Sequence, residues 1–223
     1  MKFNNKTEKA VTIIEILRTA TQGMVQPMSE LIAKEYNNDP FLILISCLLS
    51  LRARDTMTYP VCQSLFKKVR TPQQFIDVPL EELEREIFSI GFYKKKSRLL
   101  KEVSHEIITR FHCMVPSTSK ELRSIKGVGL KTANLVLGVA FGIPALCVDI
   151  HVHRISNRLG LVCTKTPEET ERELIEILPP RYWIEYNKLL VMLGQNICVP
   201  VSPFCSKCPV FDLCMRNGVK KTR

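Results

Sequence analysis

Apolar residues recur along most of this chain at the three- and four-residue intervals of an amphipathic α-helix. The set Ala10, Ile13, Ile14 and Leu17 is the first example, and a longer amphipathic stretch covers Tyr93–Phe111. No segment alternates apolar and polar residues over enough positions to predict a strand. The pattern predicts an all-α protein of about ten short helices.

Local signals predict where several of these helices begin. Asp39 followed by Pro40 favours a helix start, and residues 41–51 behind it are apolar on nearly all sides, as in a buried central helix. Further short helices are predicted to start at Thr71-Pro72 and Val78-Pro79. Capping boxes at Thr118 with Glu121 and at Thr166 with Glu169 predict two more helix starts, and a last long helix is predicted over 180–196.

The charge and the apolar runs restrict the function classes. The 223 residues include 32 Lys and Arg against 22 Asp and Glu, a formal net charge of +10 that favours a polyanionic partner. The longest apolar run, residues 41–51, is too short for a membrane-spanning helix, which needs about 20 residues. The first residues lack the apolar segment of a signal peptide. We therefore expect a cytoplasmic protein that is not bound to a membrane.

The most informative stretch is a glycine turn, Lys126-Gly127-Val128-Gly129, between two predicted helices. Two glycines one residue apart allow the backbone to turn tightly. The N–H groups that open the second helix point outward with the positive end of its dipole, which makes an anion site that suits a duplex phosphate. The backbone N–H groups of Gly127, Gly129 and Lys131 are the candidate DNA contacts.

Two side chains near this turn could carry chemistry on DNA. Lys131 lies in the first turn of the second helix, where a cation is disfavoured, and Asp149 lies just before another predicted helix, Ile150–Leu159. A lysine amine can act as a nucleophile, and a carboxylate can stabilise positive charge or move a proton. The residues alone leave simpler roles open, because Lys131 could be a solvated helix lysine and Asp149 an N-cap.

The cysteines form two groups. Five of the nine are scattered through apolar or amphipathic stretches, which indicates a reducing compartment and no disulfide framework. The other four have the spacing C-x6-C-x2-C-x5-C and are Cys198, Cys205, Cys208 and Cys214. This compact spacing with no nearby histidine favours a [4Fe–4S] cluster, although a zinc site or unrelated cysteines stay open. We expect such a cluster to be a structural cross-link more than a redox catalyst.

Several motifs together resemble the endonuclease III family of DNA glycosylases and abasic-site lyases, within the helix–hairpin–helix superfamily. Their order and separations also match, so the resemblance covers nearly the whole chain. The motifs are GVGLKTAN (Gly127–Asn134), VDIHVHRISNR (Val148–Arg158), the four-cysteine loop, LLSLRARD (Leu48–Asp55) and IGFYKKKSRLL (Ile90–Leu100).

The resemblance implies a two-lobed all-α architecture. Residues 25–142 would form a six-helix lobe with the helix–hairpin–helix, and residues 1–24 and 143–223 a discontinuous lobe that carries the [4Fe–4S] cluster on its four cysteines. It implies action on double-stranded DNA with a damaged base or an abasic site. We expect a monomer, and because no nuclear or organellar signal stands out, the cytoplasm or nucleoid is the expected location.

The resemblance also implies a reaction. The damaged base is flipped out of the duplex, and oxidised pyrimidines are removed through a lysine Schiff base and β-elimination. By similarity, Lys131 is the nucleophile and Asp149 the catalytic aspartate.

The chain departs from the family pattern in two places. Arg52 stands where bacterial members commonly have Gln, at the residue expected to enter the gap left by the flipped base, so the opposite-base preference is open. Residues 199–204 lack the basic side chains common there, which leaves Lys207, Arg216 or Lys220-Lys221 for phosphate contacts. The run Lys94–Lys96 could contact phosphate or be a solvated helix start.

Three other functions remain as alternatives. A mismatch or alkyl-base glycosylase could use the same scaffold, although Lys131 argues against the monofunctional members. A non-catalytic DNA-binding module is disfavoured by the presence of both Lys131 and Asp149. An electron carrier of ferredoxin type is disfavoured because a single cluster would sit on a large basic helical chain.

Overall fold

A computed structural model describes residue 3 and residues 5–223 of the protein. All regular structure within these residues is helical, which confirms the all-α prediction. The α-helices, in chain order, are α1 Lys6–Ala20, α2 Met28–Glu35, α3 Pro40–Ser50, α4 Asp55–Lys68, α5 Pro72–Asp77, α6 Leu80–Glu86, α7 Tyr93–Phe111, α8 Ser119–Ser124, α9 Leu130–Phe141, α10 Ile150–Leu159, α11 Pro167–Ile177 and α12 Trp183–Asn196.

The chain divides into two compact units. One unit covers Met28–Ile143 and contains α2 to α9; we call it the hairpin unit. The other combines Met1–Pro27 with Pro144–Arg223 and contains α1 and α10 to α12; we call it the cysteine unit. Residues 1, 2 and 4 of its first segment lie outside the described residues.

Helix α3 is the centre of the hairpin unit. Its nine residues 41–49 are all buried, and α2, α4, α7 and α9 pack around it. The helix begins as predicted, because the Asp39 carboxylate accepts hydrogen bonds from the N–H groups of Phe41 and Leu42 at 2.9 and 3.1 Å. A helix that is apolar on all sides is stable only when it is covered by other elements, which explains its central place.

The cysteine unit has a core between α1, α10, α11 and α12. The predicted apolar face of α1 is fully buried there. Gly194 of α12 allows close packing against α10, because a Cβ atom at this position would lie 2.4 Å from His151 Nδ1. Beyond α12, residues 197–223 contain only two short 3₁₀ helices, Cys205–Lys207 and Phe211–Leu213.

Some local predictions were incomplete. Helices α2 and α4 were not predicted, and α4 contains Pro60, which removes one backbone hydrogen bond from the helix. The predicted helix over 180–196 begins as a 3₁₀ turn, Pro180–Tyr182. The capping box at Thr166 is complete, whereas at Thr118 the Glu121 carboxylate binds the threonine hydroxyl instead of the backbone N–H.

In the described part of the chain, no helix has both the length and the apolar composition needed to cross a bilayer.

Candidate active site

The glycine turn connects α8 to α9 in the hairpin unit. Gly127 has φ +78°, in the left-handed region that favours glycine, and a Cβ atom there would lie 2.9 Å from Leu99 Cδ1 of α7. Gly129 is the N-cap of α9 and has no side chain to cap the first N–H groups of the helix. These amides therefore keep the positive end of α9 available for an anion such as a DNA phosphate.

Helix α7 supports the glycine turn through charged side chains. The Glu106 carboxylate accepts a hydrogen bond from the Lys126 backbone N–H at 3.1 Å. Glu106 also pairs with Arg110, whose guanidinium donates to the carbonyl and hydroxyl of Ser124 at the end of α8. A further ion pair joins Lys126 Nζ to Glu102 at 2.7 Å. The turn is thus anchored on a long helix and does not depend on its own few residues.

Lys131 lies in the first turn of α9 with an exposed side chain. Its charge acts on the buried thiol of Cys47 in α3. Burial raises the pKa of Cys47 to about 12, and the nearby Lys131 cation opposes that rise. Since the side chain is exposed, the protein itself does not bury the amine, and a bound substrate can reach it.

Arg52 occupies a strained turn between α3 and α4. The Ala53 N–H donates to the Ser50 carbonyl at 2.9 Å. Leu51 has φ −55° and ψ 119°, and Arg52 has φ +55°. This is the geometry of a type II turn with Arg52 at the position that favours glycine. The Arg52 side chain is exposed, and within the described part of the chain its guanidinium makes no hydrogen bond or ion pair with another residue. The turn presents a free guanidinium to solvent.

Phe92 is a candidate contact that the sequence analysis did not single out. It is the N-cap of α7, has φ +62°, and keeps 59% of its surface exposed. Phe88, 67% exposed, packs edge-to-face on Tyr93 beside it, with ring centroids 5.0 Å apart. Exposed aromatic rings can stack on bases. The only signal for this feature in the sequence is that Phe92 directly follows Gly91.

Asp149 lies in the cysteine unit as the N-cap of α10. Its Oδ1 atom accepts hydrogen bonds from the N–H groups of His151 and Val152 at 2.9 and 2.8 Å. The predicted capping role is therefore confirmed. Both bonds use the same oxygen, so the cap fixes the carboxylate while Oδ2 takes no part in it. The side chain is half-buried.

The four candidate metal-ligating cysteines line one cavity of the cysteine unit. All four are partly buried and none forms a disulfide. Burial raises the pKa of Cys208 to about 11, and the other three thiols act on it in the same direction because all four line this cavity. Among the described residues, no three His, Cys, Asp or Glu side chains converge on a point where a single metal ion could bind.

Two arginines of α10 contact the first cysteine. Arg158 is 7% exposed, and its guanidinium donates to Cys198 Sγ at 3.3 Å and to the carbonyls of Val199 and Pro200 at 2.8 and 2.7 Å. Arg154 donates to the Cys198 carbonyl at 2.9 Å. Within the residues that the structure describes, Arg158 has no carboxylate partner. A buried cation needs a counter-charge, and an anionic cluster held by thiolates fits that need.

The structure therefore divides the candidate residues between the units. The hairpin unit holds Gly127, Gly129, Lys131 and Arg52, and the cysteine unit holds Asp149 with the four cysteines. The expectation that the run Lys94–Lys96 contacts phosphate or is solvated was wrong for Lys96. Its side chain is only 6% exposed, so it is neither solvated nor available to a phosphate.

Comparison with known proteins identifies the family. A family model described as HhH-GPD superfamily base excision DNA repair protein matches residues 45–180. Endonuclease III of Thermotoga maritima is 41% identical over 196 residues, which cover 86% of this chain and 92% of that protein.

Two solved structures are also similar. A non-covalent endonuclease III–DNA complex matches with a TM-score of 0.84 and 35% identity, over 96% of this chain and 97% of that one. A trapped endonuclease III–DNA covalent intermediate, the estranged-adenine complex, matches with a TM-score of 0.75 and 38% identity, over 84% and 92% of the two chains.

The chain belongs to the HhH-GPD superfamily of base excision DNA repair proteins and, within it, to the endonuclease III family. It is a DNA glycosylase with abasic-site lyase activity, which confirms the function predicted from the resemblance.

Proposed function

We propose that this enzyme removes oxidised pyrimidines from duplex DNA and then cleaves the abasic strand, with Lys131 as the nucleophile. The observation that carries this proposal is the exposed Lys131 amine in the first turn of α9, directly behind the uncapped N–H groups that follow Gly129. A phosphate bound by those amides would place the adjoining sugar near the amine. The likeness to a trapped covalent DNA intermediate supports a reaction through an enzyme–DNA bond.

The chemistry follows from an amine at the sugar C1′ atom. The neutral Lys131 amine attacks C1′, the C1′–N bond to the base breaks, and the base leaves with the bonding electron pair and takes up a proton. Loss of the amine proton and opening of the sugar ring give a Schiff base between Lys131 and C1′. The imine makes the C2′ proton acidic, so its removal expels the 3′ phosphate by β-elimination and cuts the strand.

Asp149 would stabilise the positive charge that develops on the sugar as the base leaves. The cap of α10 supports this role, because its two hydrogen bonds to Oδ1 fix the carboxylate and leave Oδ2 to act. The same carboxylate could move a proton during ring opening.

The proposed partner is double-stranded DNA with a damaged base or an abasic site. Gly127, Gly129 and Lys131 would hold phosphate through backbone N–H groups, and Arg52 would enter the gap left by the flipped nucleotide. An exposed guanidinium on a strained turn suits that task, and Phe92 offers a ring for stacking. The enzyme would work as a monomer on cytoplasmic, nucleoid DNA.

We also propose that the cysteine unit holds a [4Fe–4S] cluster on Cys198, Cys205, Cys208 and Cys214. Each thiolate of such a cluster binds a different iron, so the sulfurs must line a cavity and need not converge on one point. The cavity lined by all four cysteines suits a cluster better than a single zinc ion. When bound, the cluster would cross-link residues 198–214. The two units would then be the two lobes of the family, and the hairpin unit would be the six-helix lobe expected over residues 25–142.

Borohydride trapping tests the nucleophile. The enzyme is incubated with one labelled duplex that contains thymine glycol and one that contains an abasic site, and borohydride reduces any Schiff base to a stable covalent adduct. Wild type is expected to form the adduct with both, and Lys131→Gln with neither while it still binds DNA. Lys120→Gln, which changes an exposed lysine of the preceding helix α8, is the matched control and should retain trapping.

The results separate the parts of the proposal. An adduct with Lys131→Gln would exclude Lys131 as the nucleophile. An adduct on the abasic duplex alone would contradict the assignment of oxidised pyrimidines and leave the lyase in place.

A further inference from the structure

Helix α7 contains a buried lysine that none of the proposed steps uses. Lys96 is 6% exposed, and its Nζ atom donates a hydrogen bond to the Leu49 carbonyl at 2.7 Å. Burial lowers the pKa of Lys96, as expected for an ammonium group that has lost water. A buried cation is stable only where a specific contact compensates for its lost hydration, so we expect the contact of Lys96 to have a structural role.

This contact lies at the end of α3, directly before the Arg52 turn. The last carbonyls of a helix have no intrahelical partner and must find one elsewhere. The Ser50 carbonyl is used by Ala53 N–H within the turn, and the Leu48 carbonyl by Leu51 N–H. The buried Leu49 carbonyl accepts from Lys96 instead. The ammonium also lies at the negative end of the α3 dipole, where a cation is favourable.

The turn that follows needs such support. Arg52 is held at φ +55°, which a side chain other than glycine adopts at a cost, and its guanidinium is exposed. Strained conformations persist only when their surroundings fix them. Lys96 lies one helical turn after Phe92, since its N–H donates to the Phe92 carbonyl at 3.0 Å. The first turn of α7 therefore begins at Phe92 and, through Lys96, contacts the end of α3.

We propose that Lys96 is a positioning residue that holds the end of α3 and thereby fixes the Arg52 turn in its DNA-reading conformation. This inference rests on the proposed role of Arg52 as the residue that enters the gap. It assigns Lys96 no contact with DNA and no part in bond breaking.

The same helix offers a matched control. Lys101 also uses its ammonium group to bind carbonyls at a helix end, those of Phe75 and Ile76 at 3.2 and 2.8 Å and that of Val78, where α5 ends. Lys101→Met removes the same chemistry from the same helix, at a place that does not support Arg52. Its effect should reflect stability alone.

A double-mutant cycle on DNA binding tests the proposal. Affinity is measured for a duplex with a non-cleavable abasic analogue opposite 2-aminopurine, whose fluorescence reports whether the orphaned base is unstacked. In the wild-type background, Lys96→Met is expected to lower both the affinity and the fluorescence change by roughly tenfold. When Arg52→Ala is already present, Lys96→Met should lower each of them by less than about twofold. Lys101→Met should change both by the same factor in either background.

Equal effects of Lys96→Met in the two backgrounds would overturn the proposal. If Lys96→Met does not fold, Lys96→Gln keeps a neutral donor and replaces it in the cycle, and the same equality would overturn the proposal. The cycle measures binding only, whereas borohydride trapping measures chemistry. Failure of the positioning role and failure of the proposed nucleophile are therefore separate outcomes.

Discussion

The glycine turn and the cysteine segment, residues 197–223, differ in how their shapes are held. The glycine turn is short, and its neighbours α7, α8 and α9 anchor it by packing, by the Lys126 N–H that donates to Glu106 and by Arg110, which donates to Ser124. In the cysteine segment only Pro203 and Val210 are buried. The first region is held by its contacts with neighbouring helices, whereas the second buries little apolar surface, so the proposed cluster would act there as a cross-link.

Breaking the proposed cross-link should have the largest effect. Cys205→Ala is expected to destabilise the cysteine segment by more than about 3 kcal/mol, because metal binding and folding of such a segment are one process. Trypsin should then cut within residues 207–223, while the hairpin unit stays resistant. Iron content and limited proteolysis with mass spectrometry would measure this.

Cys163→Ala is the control, since Cys163 is an exposed cysteine of the same unit outside the cavity. A Cys205→Ala protein that keeps both its iron and its protease resistance would contradict the proposed cluster.

Two glycines of the hairpin unit should respond differently to the same substitution. Gly127→Ala forces a side chain into φ +78° and against Leu99, so we expect a loss of about 1–2 kcal/mol and weaker DNA binding. Gly129→Ala has φ −86° and open space around the new methyl group, so it should lose only the advantage of glycine over alanine at an N-cap, which is below about 1 kcal/mol. Urea unfolding and titration with an abasic-analogue duplex would test the pair, and equal losses would show that the turn is not held as described.

Two substitutions of Asp149 can separate the effect of the helix cap from the effect of the carboxylate charge. Asp149→Ala removes both and should lower stability by about 1 kcal/mol, whereas Asp149→Asn keeps a capping oxygen and should preserve stability. Both variants should lose most base-release activity, because neither has the carboxylate. Thermal unfolding and single-turnover base release would measure the two effects, and full activity of Asp149→Asn would remove the proposed role of the charge.

The buried thiols of the hairpin unit give a smaller, pH-dependent effect. Burial raises the pKa of Cys47 and of Cys62 from 9.0 to about 12. As the pH approaches and passes 9, the unfolded chain loses thiol protons that the folded chain keeps, so the stability is full well below pH 9 and is lost as the pH rises through 9 toward 12. Between pH 7 and pH 9 the loss should be under about 1 kcal/mol.

Urea unfolding across this range, compared with a Cys47→Ala/Cys62→Ala variant, would measure the thiol contribution. The variant should show a flatter pH dependence, and identical slopes would contradict the assignment.

Sequence predicted the parts of the molecule that depend on local rules. The cap at Asp39, the buried α3 and the cap at Asp149 follow from residue type and spacing, and all three are confirmed. The family and its activity followed from motifs in a fixed order. The roles of Lys131, Asp149, Arg52 and the four cysteines stay predictions.

What sequence missed depends on contacts between distant residues. Lys96 is the fourth residue of α7 in a lysine-rich run that suggests solvent or phosphate, yet it is buried against α3. Nothing in the local pattern distinguishes it from Lys94 and Lys95, which are exposed. The positive φ of Arg52 could not be predicted from the sequence either, because turn rules favour glycine at that position.

Helix α7 has a consequence for which changes in chain length the protein can accept. Lys96 supports the Arg52 turn, and Glu106 supports the glycine turn. The two positions are ten residue steps apart, which corresponds to about 15 Å of helix. Inserting or deleting one residue there would rotate one anchor by about 100° relative to the other. The exposed side chains on this stretch could be exchanged, but a residue could not be added or removed. This part of the chain should therefore tolerate substitutions at exposed positions better than insertions or deletions.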